Sequence, residues 1–158
     1  MPKTEEHVAL ACHNLDVLAY LALRPEFSDW MVTVAFYAAL HAVEAVLWHK
    51  EKKHGQSHDR RESILKHNRT YEKIWRHYRK LKSLSLIARY ANDRPDSKAI
   101  LFSDYLPQVS AVEKVIRQNL APLWTAVSRH LPAGEATILN RAMNTLLQSK
   151  SGGRVGSR

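Results

Sequence analysis

Residues 28–49 read SDWMVTVAFYAALHAVEAVLWH, and this stretch decides the predicted fold. It contains neither glycine nor proline, and its apolar residues lie nearly all round a helix of 100° per residue. Four small residues, Ala35, Ala38, Ala39 and Ala42, would let neighbouring helices approach closely. A helix that is apolar on most faces is typical of the middle of a bundle or of a subunit interface. We therefore predict a central helix here.

The sequence on either side of this stretch predicts further helices joined by short polar breaks. They are expected over residues 5–23, over 59–90 with a break near Asn68, from 103–104 through Pro122, where the helix kinks or restarts, and over 135–148. The first should end at Arg24-Pro25, because the residue before a proline is pushed out of helical geometry. No segment carries a strand pattern. The prediction is an all-α fold.

Two helix starts are predicted from capping signals. Ser28 is expected to cap the central helix, with Phe27 packing onto Val32 one turn later. Asp59 is expected to cap the next helix, because Glu62 follows three residues later and completes a capping-box pattern.

Composition limits the class of protein. A chain of 158 residues with 45% hydrophobic residues fits one domain with a real core. The single cysteine, Cys12, excludes an internal disulfide framework. The first residues lack the apolar core of a signal peptide, and His41 and Glu44 interrupt the longest apolar stretch. We therefore expect a soluble, cytoplasmic protein without a membrane role.

The charge of the chain is concentrated in residues 49–89. This segment holds thirteen of the 24 lysines and arginines but four of the 15 acidic residues. Its net charge of +9 equals that of the whole chain, so the remaining residues sum to zero. A basic field confined to one segment favours a polyanionic partner such as nucleic acid.

Within this segment, helical geometry separates two faces. Arg69, Lys73, Arg76 and Lys80 fall within about 60° of one another on a continuous helix. The opposite side carries Tyr71, Ile74, Trp75, Tyr78, Leu81 and Leu84, which we interpret as core. The basic stripe is either a solvated face or a surface that binds the nucleic-acid backbone.

An arginine and a histidine begin the same region. Arg60 and His67 are seven residues apart, which places them about 20° and about 10 Å from each other on a helix. Histidine can move a proton near neutral pH, and arginine can hold phosphate oxygens. The pair therefore suits phosphodiester chemistry, although two unrelated surface residues often show the same spacing.

Three sequence features together resemble the HEPN superfamily, especially its small stand-alone members. They are VAFYAALHAVEAVL at 34–47, the loop with Gly55 that ends in Ser57-His58, and LIARY at 86–90. The resemblance implies an up-and-down bundle of four to five helices that forms a homodimer. We accordingly predict one HEPN-like helical domain over residues 1–148 and a disordered basic tail over 149–158.

Many HEPN proteins are metal-independent ribonucleases that act as toxins or defence effectors. Their signature is an arginine followed, after four to six residues, by a histidine, and both Arg60 and Arg61 fit that spacing to His67. By resemblance, His67 would assist attack by the ribose 2′-hydroxyl or protonate the leaving oxygen, and Arg60 or Arg61 would hold the phosphate. Many toxin members carry tyrosine where this chain has Arg69.

The function predicted from these features is a HEPN-like RNA-binding protein and metal-independent ribonuclease. The alternative is a non-catalytic helical module that binds nucleic acid or a nucleotidyltransferase partner. A third interpretation is an interaction protein that uses its apolar central helix. No cofactor or metal site is predicted, because His49, His54 and His58 lack cysteine or clear carboxylate neighbours. His41 and Glu44 are expected to form a buried hydrogen-bonded pair or an interface contact.

Overall fold

The computed structural model describes residues 3–52, 57–90, 102, 106 and 108–149. These ranges form an all-α helical bundle without strands, as predicted, with six helices where the resemblance implied four to five. Six helices are described: α1 Thr4–Leu21, α2 Ser28–Glu51, α3 His58–His67, α4 Glu72–Tyr90, α5 over residues 108–128, and α6 Ala133–Ser149. Short 3₁₀ turns, Pro25–Phe27 and Arg69–Tyr71, precede α2 and α4.

Helix α2 is the centre of the bundle. It packs along α1 on one side and against α4 and α5 on the other, while α6 closes on α1 and α5. Ala35, Ala38, Ala39 and Ala42 are fully buried, so the helix axes approach closely there. The predicted central position of this helix is confirmed.

Helix α2 is also the one helix, among the described residues, that is long and apolar enough to cross a bilayer. Most of it is enclosed by the other helices, as in the core helix of a soluble protein. Length and composition are therefore weak evidence for a membrane span.

Both predicted caps are wrong, each by one or two residues. Ser28 is already helical and buried, because the preceding 3₁₀ turn places Phe27 at the cap position of α2. At α3 the cap is Ser57, whose extended backbone lets its Oγ accept a hydrogen bond from the Arg60 amide at 3.2 Å. Asp59 consequently lies in the first turn of α3, where its negative charge still favours the helix N-terminus.

Helix α5 contains a π-helical stretch. It consists of Gln108–Ala111, the π segment Val112–Leu120 and Ala121–Ser128. The backbone amide of Ala121 bonds the carbonyl of Ile116, five residues earlier. The wider turn ends just before Pro122, whose ring would crowd a carbonyl in regular α geometry. The helix therefore continues through Pro122, where the sequence predicted a kink or restart.

Some sequence predictions fall outside the described residues. They are the cap at 103–104, the loop residues His54 and Gly55, and the tail from 150 to 158. The last helix extends slightly beyond its predicted range of 135–148 at both ends.

Candidate nucleic-acid interface

The break near Asn68 is confirmed and changes the geometry of the basic stripe. Asn68 is extended, and its Oδ1 accepts a hydrogen bond from the Thr70 amide at 3.0 Å. Arg69 therefore lies in a 3₁₀ turn, not on α4. Lys73, Arg76 and Lys80 share one exposed face of α4, and Arg69 is exposed just before that helix begins.

The opposite face of α4 is core, as predicted. Ile74, Tyr78 and Leu81 are buried, and Trp75 and Leu84 are half-buried against the same cluster. These side chains therefore stabilise the bundle, while the basic face of α4 stays open to a ligand.

A groove runs between the basic face of α4 and the antiparallel helix α5, and it holds two depressions. One, of about 370 Å³, is lined by Lys73, Arg76, His77, Pro122, Thr125, Ala126 and Arg129. The other, of about 460 Å³, is lined by Arg79, Lys80, Ser83, Leu84, Ile87, Lys114, Gln118 and Asn119. We call these residues together the α4–α5 groove.

The groove contains two cations that sequence reasoning missed. Lys114 and Arg129 come from α5, outside the basic segment 49–89. Sequence spacing gives no signal for them, because helix packing alone brings α5 alongside α4. Both walls of the groove are thus positively charged, whereas the sequence predicted a single stripe.

The ion pair between Arg76 and Glu72, beside the groove, is weak. Arg76 lies 3.6 Å from Glu72 one turn earlier, and both side chains are largely exposed. Exposed pairs of this kind contribute about 0–1 kcal/mol and are screened by salt. Arg76 can therefore exchange Glu72 for a phosphate at little cost.

His77 and Asn119 lie between the two depressions. The Nδ1 atom of His77 is 3.3 Å from Oδ1 of Asn119. Asn119 is buried, and its Nδ2 donates a hydrogen bond to the carbonyl of Lys114 at 2.6 Å. This side-chain bond spans five residues within the π segment of α5.

Arg61, one of the predicted catalytic residues, is buried in a polar network. Its Nε donates to Oε1 of Glu44 at 2.5 Å. Its Nη1 lies 3.3 Å from Nδ1 of His58 and donates to the hydroxyl of Tyr78 at 3.4 Å. A buried guanidinium requires such partners, because an unpaired charge in the core is costly.

The neighbouring Arg60 and the third predicted residue, His67, are both exposed. Adjacent helical residues point about 100° apart, so Arg60 faces outward where Arg61 faces inward. His67 ends α3, and its Nδ1 lies 2.8 Å from the carbonyl oxygen of Ser63. The structure therefore separates the two arginines that the sequence left equivalent.

The groups around Arg61 have shifted pKa values. Burial and the Arg61 charge lower the pKa of His58. Burial lowers the pKa of His41, with Glu44 opposing the shift and Arg61 adding to it. Burial raises the pKa of Tyr78 to about 12. Each shift favours the neutral form, so the charge of the network resides on Arg61 and Glu44.

His41 and Glu44 each contact a residue on another helix. Glu44 is buried and binds Arg61 of α3, while Nδ1 of His41 lies 3.2 Å from Nδ1 of His7 on α1. Of the two residues expected to form a buried pair or an interface contact, Glu44 is buried and His41 is half-buried, and their partners Arg61 and His7 come from other helices.

Metal ligands do not cluster in the described part of the chain. Three or more His, Cys, Asp or Glu side chains with metal-binding geometry are not found together there. Of the three histidines considered for a metal, His58 contacts Arg61 and His54 lies outside the described residues.

Comparison of this chain with known proteins gives no match to a family model, a curated protein or a solved structure.

Proposed function

We propose that this chain is a HEPN-like RNA-binding protein whose α4–α5 groove binds the RNA backbone. The observation that carries the proposal is the pair of basic walls. The wall formed by α4 extends over about 10 Å and carries Lys73, Arg76 and Lys80. The facing wall, formed by α5, carries Lys114 and Arg129. The choice of RNA over another polyanion rests on the resemblance to HEPN proteins.

The shape of the groove favours a single strand. Packed helices lie about 8–10 Å apart, so both walls can reach one phosphodiester backbone. A duplex is wider and would contact one wall at a time. Among the groove-lining residues of the described chain, no exposed aromatic ring offers a stacking platform, so binding depends on charge and varies little with base sequence.

Salt-dependent binding tests this proposal. The probe is a fluorescein-labelled, single-stranded 2′-O-methyl RNA, which resists cleavage by attack of the 2′-hydroxyl. Replacing Lys73, Arg76 and Lys80 together by alanine should weaken binding and reduce the slope of log affinity against log salt by about 2, at about 0.7 per phosphate lost. Arg24→Ala, which removes an exposed cation between α1 and α2, is the control for a charge lost elsewhere on the surface. An unchanged slope in the triple variant would contradict the proposal.

A second candidate function is metal-independent RNA cleavage by Arg60 and His67. The hydrogen bond to the Ser63 carbonyl favours the tautomer with the proton on Nδ1 of His67, because a carbonyl can only accept. The other ring nitrogen, Nε2, then carries a lone pair that can take a proton. Arg60 is the arginine we assign to the phosphate, since Glu44 already neutralises Arg61.

Cleavage of unmodified RNA in EDTA tests this second function. His67→Ala should slow cleavage by about 100-fold or more, the usual contribution of a general acid or base. Cleavage at the wild-type rate would exclude His67. Binding of RNA without any cleavage by the wild-type protein would instead favour the non-catalytic helical module.

We also propose that the protein forms a homodimer, as the resemblance implies. Trp30 and Tyr37 are exposed and seven residues apart on α2, so they lie on one face of that helix. They offer an apolar surface to a second copy of the chain. Sedimentation velocity should show a dimer for the wild-type protein and a monomer after both residues are replaced by serine. A wild-type monomer at high concentration would overturn this proposal.

A further inference from the structure

His77 of α4 is oriented by a side chain on the neighbouring helix α5. It lines the smaller depression of the α4–α5 groove and is half-buried. The Asn119 amide is fixed, because its Nδ2 must be the group that donates to the Lys114 carbonyl. Its Oδ1 therefore accepts, and Nδ1 of His77 carries the proton. In the neutral ring this leaves a lone pair on Nε2.

Asn119, the partner of His77, lies in the π segment of α5. Asn119 reaches the carbonyl of Lys114 across five residues, the span of a π turn, while its other end faces His77 on α4. Inserted π turns are frequent at functional sites, because they place a side chain where regular α geometry would not. The irregular π turn therefore carries the residue that orients one histidine.

The surroundings of His77 match the needs of a phosphodiester. Lys73 and Arg76 from α4 and Arg129 from α5 line the same depression. A histidine that can accept a proton therefore lies among cations that can hold a phosphate. All of these groups come from one copy of the chain.

We propose that His77 is the general base for RNA cleavage in the α4–α5 groove. This inference rests on the proposed function, since RNA must first bind there. Its substrate class is single-stranded RNA with a free 2′-hydroxyl. Asn119 is a positioning residue that holds the imidazole in the reactive tautomer.

The reaction needs no further reactant. Nε2 of His77 takes the proton of the 2′-hydroxyl, and the 2′-oxygen forms a bond to phosphorus. The bond from phosphorus to the 5′-oxygen breaks, and that oxygen takes a proton from water. His77 then returns its proton to the hydroxide left in solvent. The products are a 2′,3′-cyclic phosphate and a 5′-hydroxyl, and the cations stabilise the charge that develops on the phosphate oxygens.

The proposal makes a different prediction from the Arg60–His67 pair. His67 and Arg60 both lie on α3 and do not line the α4–α5 groove. His77 lies in the groove that holds the cations. Cleavage should therefore depend on His77 whether or not the chain dimerises.

Two measurements on the full chain separate binding from cleavage. Affinity is measured with the labelled 2′-O-methyl RNA, and the cleavage rate with unmodified RNA of the same sequence in EDTA. His77→Ala should lower the cleavage rate about 100-fold or more and leave the affinity within a few-fold. His13→Ala, which removes an exposed histidine of α1, should change neither quantity.

The role of Asn119 has a spectroscopic signature. The ¹⁵N shifts of the His77 ring should show the Nδ1-protonated tautomer in the wild-type protein. Asn119→Ala should shift the ring toward a mixture of tautomers and lower the cleavage rate, while a thermal melt shows that the variant is folded. An unchanged ring spectrum would contradict the positioning role.

Each failure has a distinct meaning. If RNA does not bind, the proposed function fails and the inference fails with it. If RNA binds and the wild-type protein cleaves nothing, the proposed RNA binding stands and the inference is overturned. If His67→Ala abolishes cleavage and His77→Ala does not, the base is His67 and the inference is again overturned.

Discussion

Arg61 of α3 and Arg76 of α4 belong to the same basic segment but have opposite environments. The Arg61 side chain is 8% exposed and lies 2.5 Å from a Glu44 carboxylate that is 4% exposed. The Arg76 side chain is 59% exposed and lies 3.6 Å from a Glu72 carboxylate that is 69% exposed. The first arginine holds the bundle together, and the second is available to a ligand.

The difference shows which positive charges produce an external field. A buried guanidinium must be neutralised by a nearby group, so Glu44 cancels most of the charge of Arg61. Lys82 likewise pairs with Glu62, and both are only partly exposed. Glu44 lies outside residues 49–89, so the net charge of +9 overstates the field of that segment by about one charge, whereas Glu62 is already counted in that sum.

The largest expected effect is a loss of stability when the buried Arg61–Glu44 pair is broken. Glu44→Ala leaves the Arg61 charge without its carboxylate and should lower the free energy of unfolding by about 3–5 kcal/mol. Urea denaturation measures the change. Glu72→Ala, which removes the partner of Arg76, should cost less than about 1 kcal/mol. Equal losses in the two variants would abolish the distinction between the two arginines.

The next effect is on RNA affinity. Replacing Arg76 and Arg129 together by alanine removes one cation from each wall of the groove. The salt slope should fall by about 1.4, which at 0.1 M salt corresponds to roughly 25-fold weaker binding to a single strand. Arg141→Ala on α6 is the control. If Arg76→Ala alone weakened binding as much as the double variant, RNA would contact α4 alone.

A smaller effect is expected at Tyr78. Its buried hydroxyl accepts a hydrogen bond from Arg61 at 3.4 Å. Tyr78→Phe should lower the free energy of unfolding by about 1 kcal/mol, because Arg61 keeps Glu44 as its main partner. Denaturant titration measures this. Tyr20→Phe removes only an exposed hydrogen bond from Arg24 and should change the free energy of unfolding by less than about 0.5 kcal/mol, and the prediction fails if the two variants are equally stable.

The smallest expected effect is on the pH dependence of stability. Burial lowers the pKa of His41 below its ordinary value of 6.5. Because the folded state has the lower pKa, it binds a proton at His41 less readily than the unfolded state. The contribution of His41 to stability is therefore fully present above about pH 6.5 and is lost as the pH falls through the pKa of the folded state. His41→Gln should therefore lose less stability than the wild-type protein on acidification below pH 6.5. Parallel curves from urea melts at several pH values would contradict this assignment.

Much of the fold could be predicted because its signals are local. The apolar stretch at 28–49 can bury its surface only inside a bundle, so α2 is central. The break at Asn68 and the inward aromatic face of α4 follow from local geometry. The cap positions were wrong, because a 3₁₀ turn before α2 and an extended Ser57 before α3 shifted the helix starts by one or two residues.

The candidate site was predicted only in part. Lys73, Arg76 and Lys80 share an exposed face, as one helical repeat requires. Arg69 lies in the 3₁₀ turn before α4, because the helix is interrupted at Asn68. The sequence could not distinguish Arg60 from Arg61, because both fit the motif spacing. Only the structure shows that Arg61 binds Glu44, which is 17 residues earlier in the chain.

The sequence by itself determined the all-α class, the central helix and the location of the basic segment, because periodicity and charge are properties of neighbouring residues. Only the tertiary structure decided which cations remain open to a ligand. It paired Arg61 with Glu44, set Lys114 and Arg129 opposite α4, and brought Asn119 to His77. Each of these contacts joins distant parts of the chain, and only the packing of the helices determines which distant residues meet.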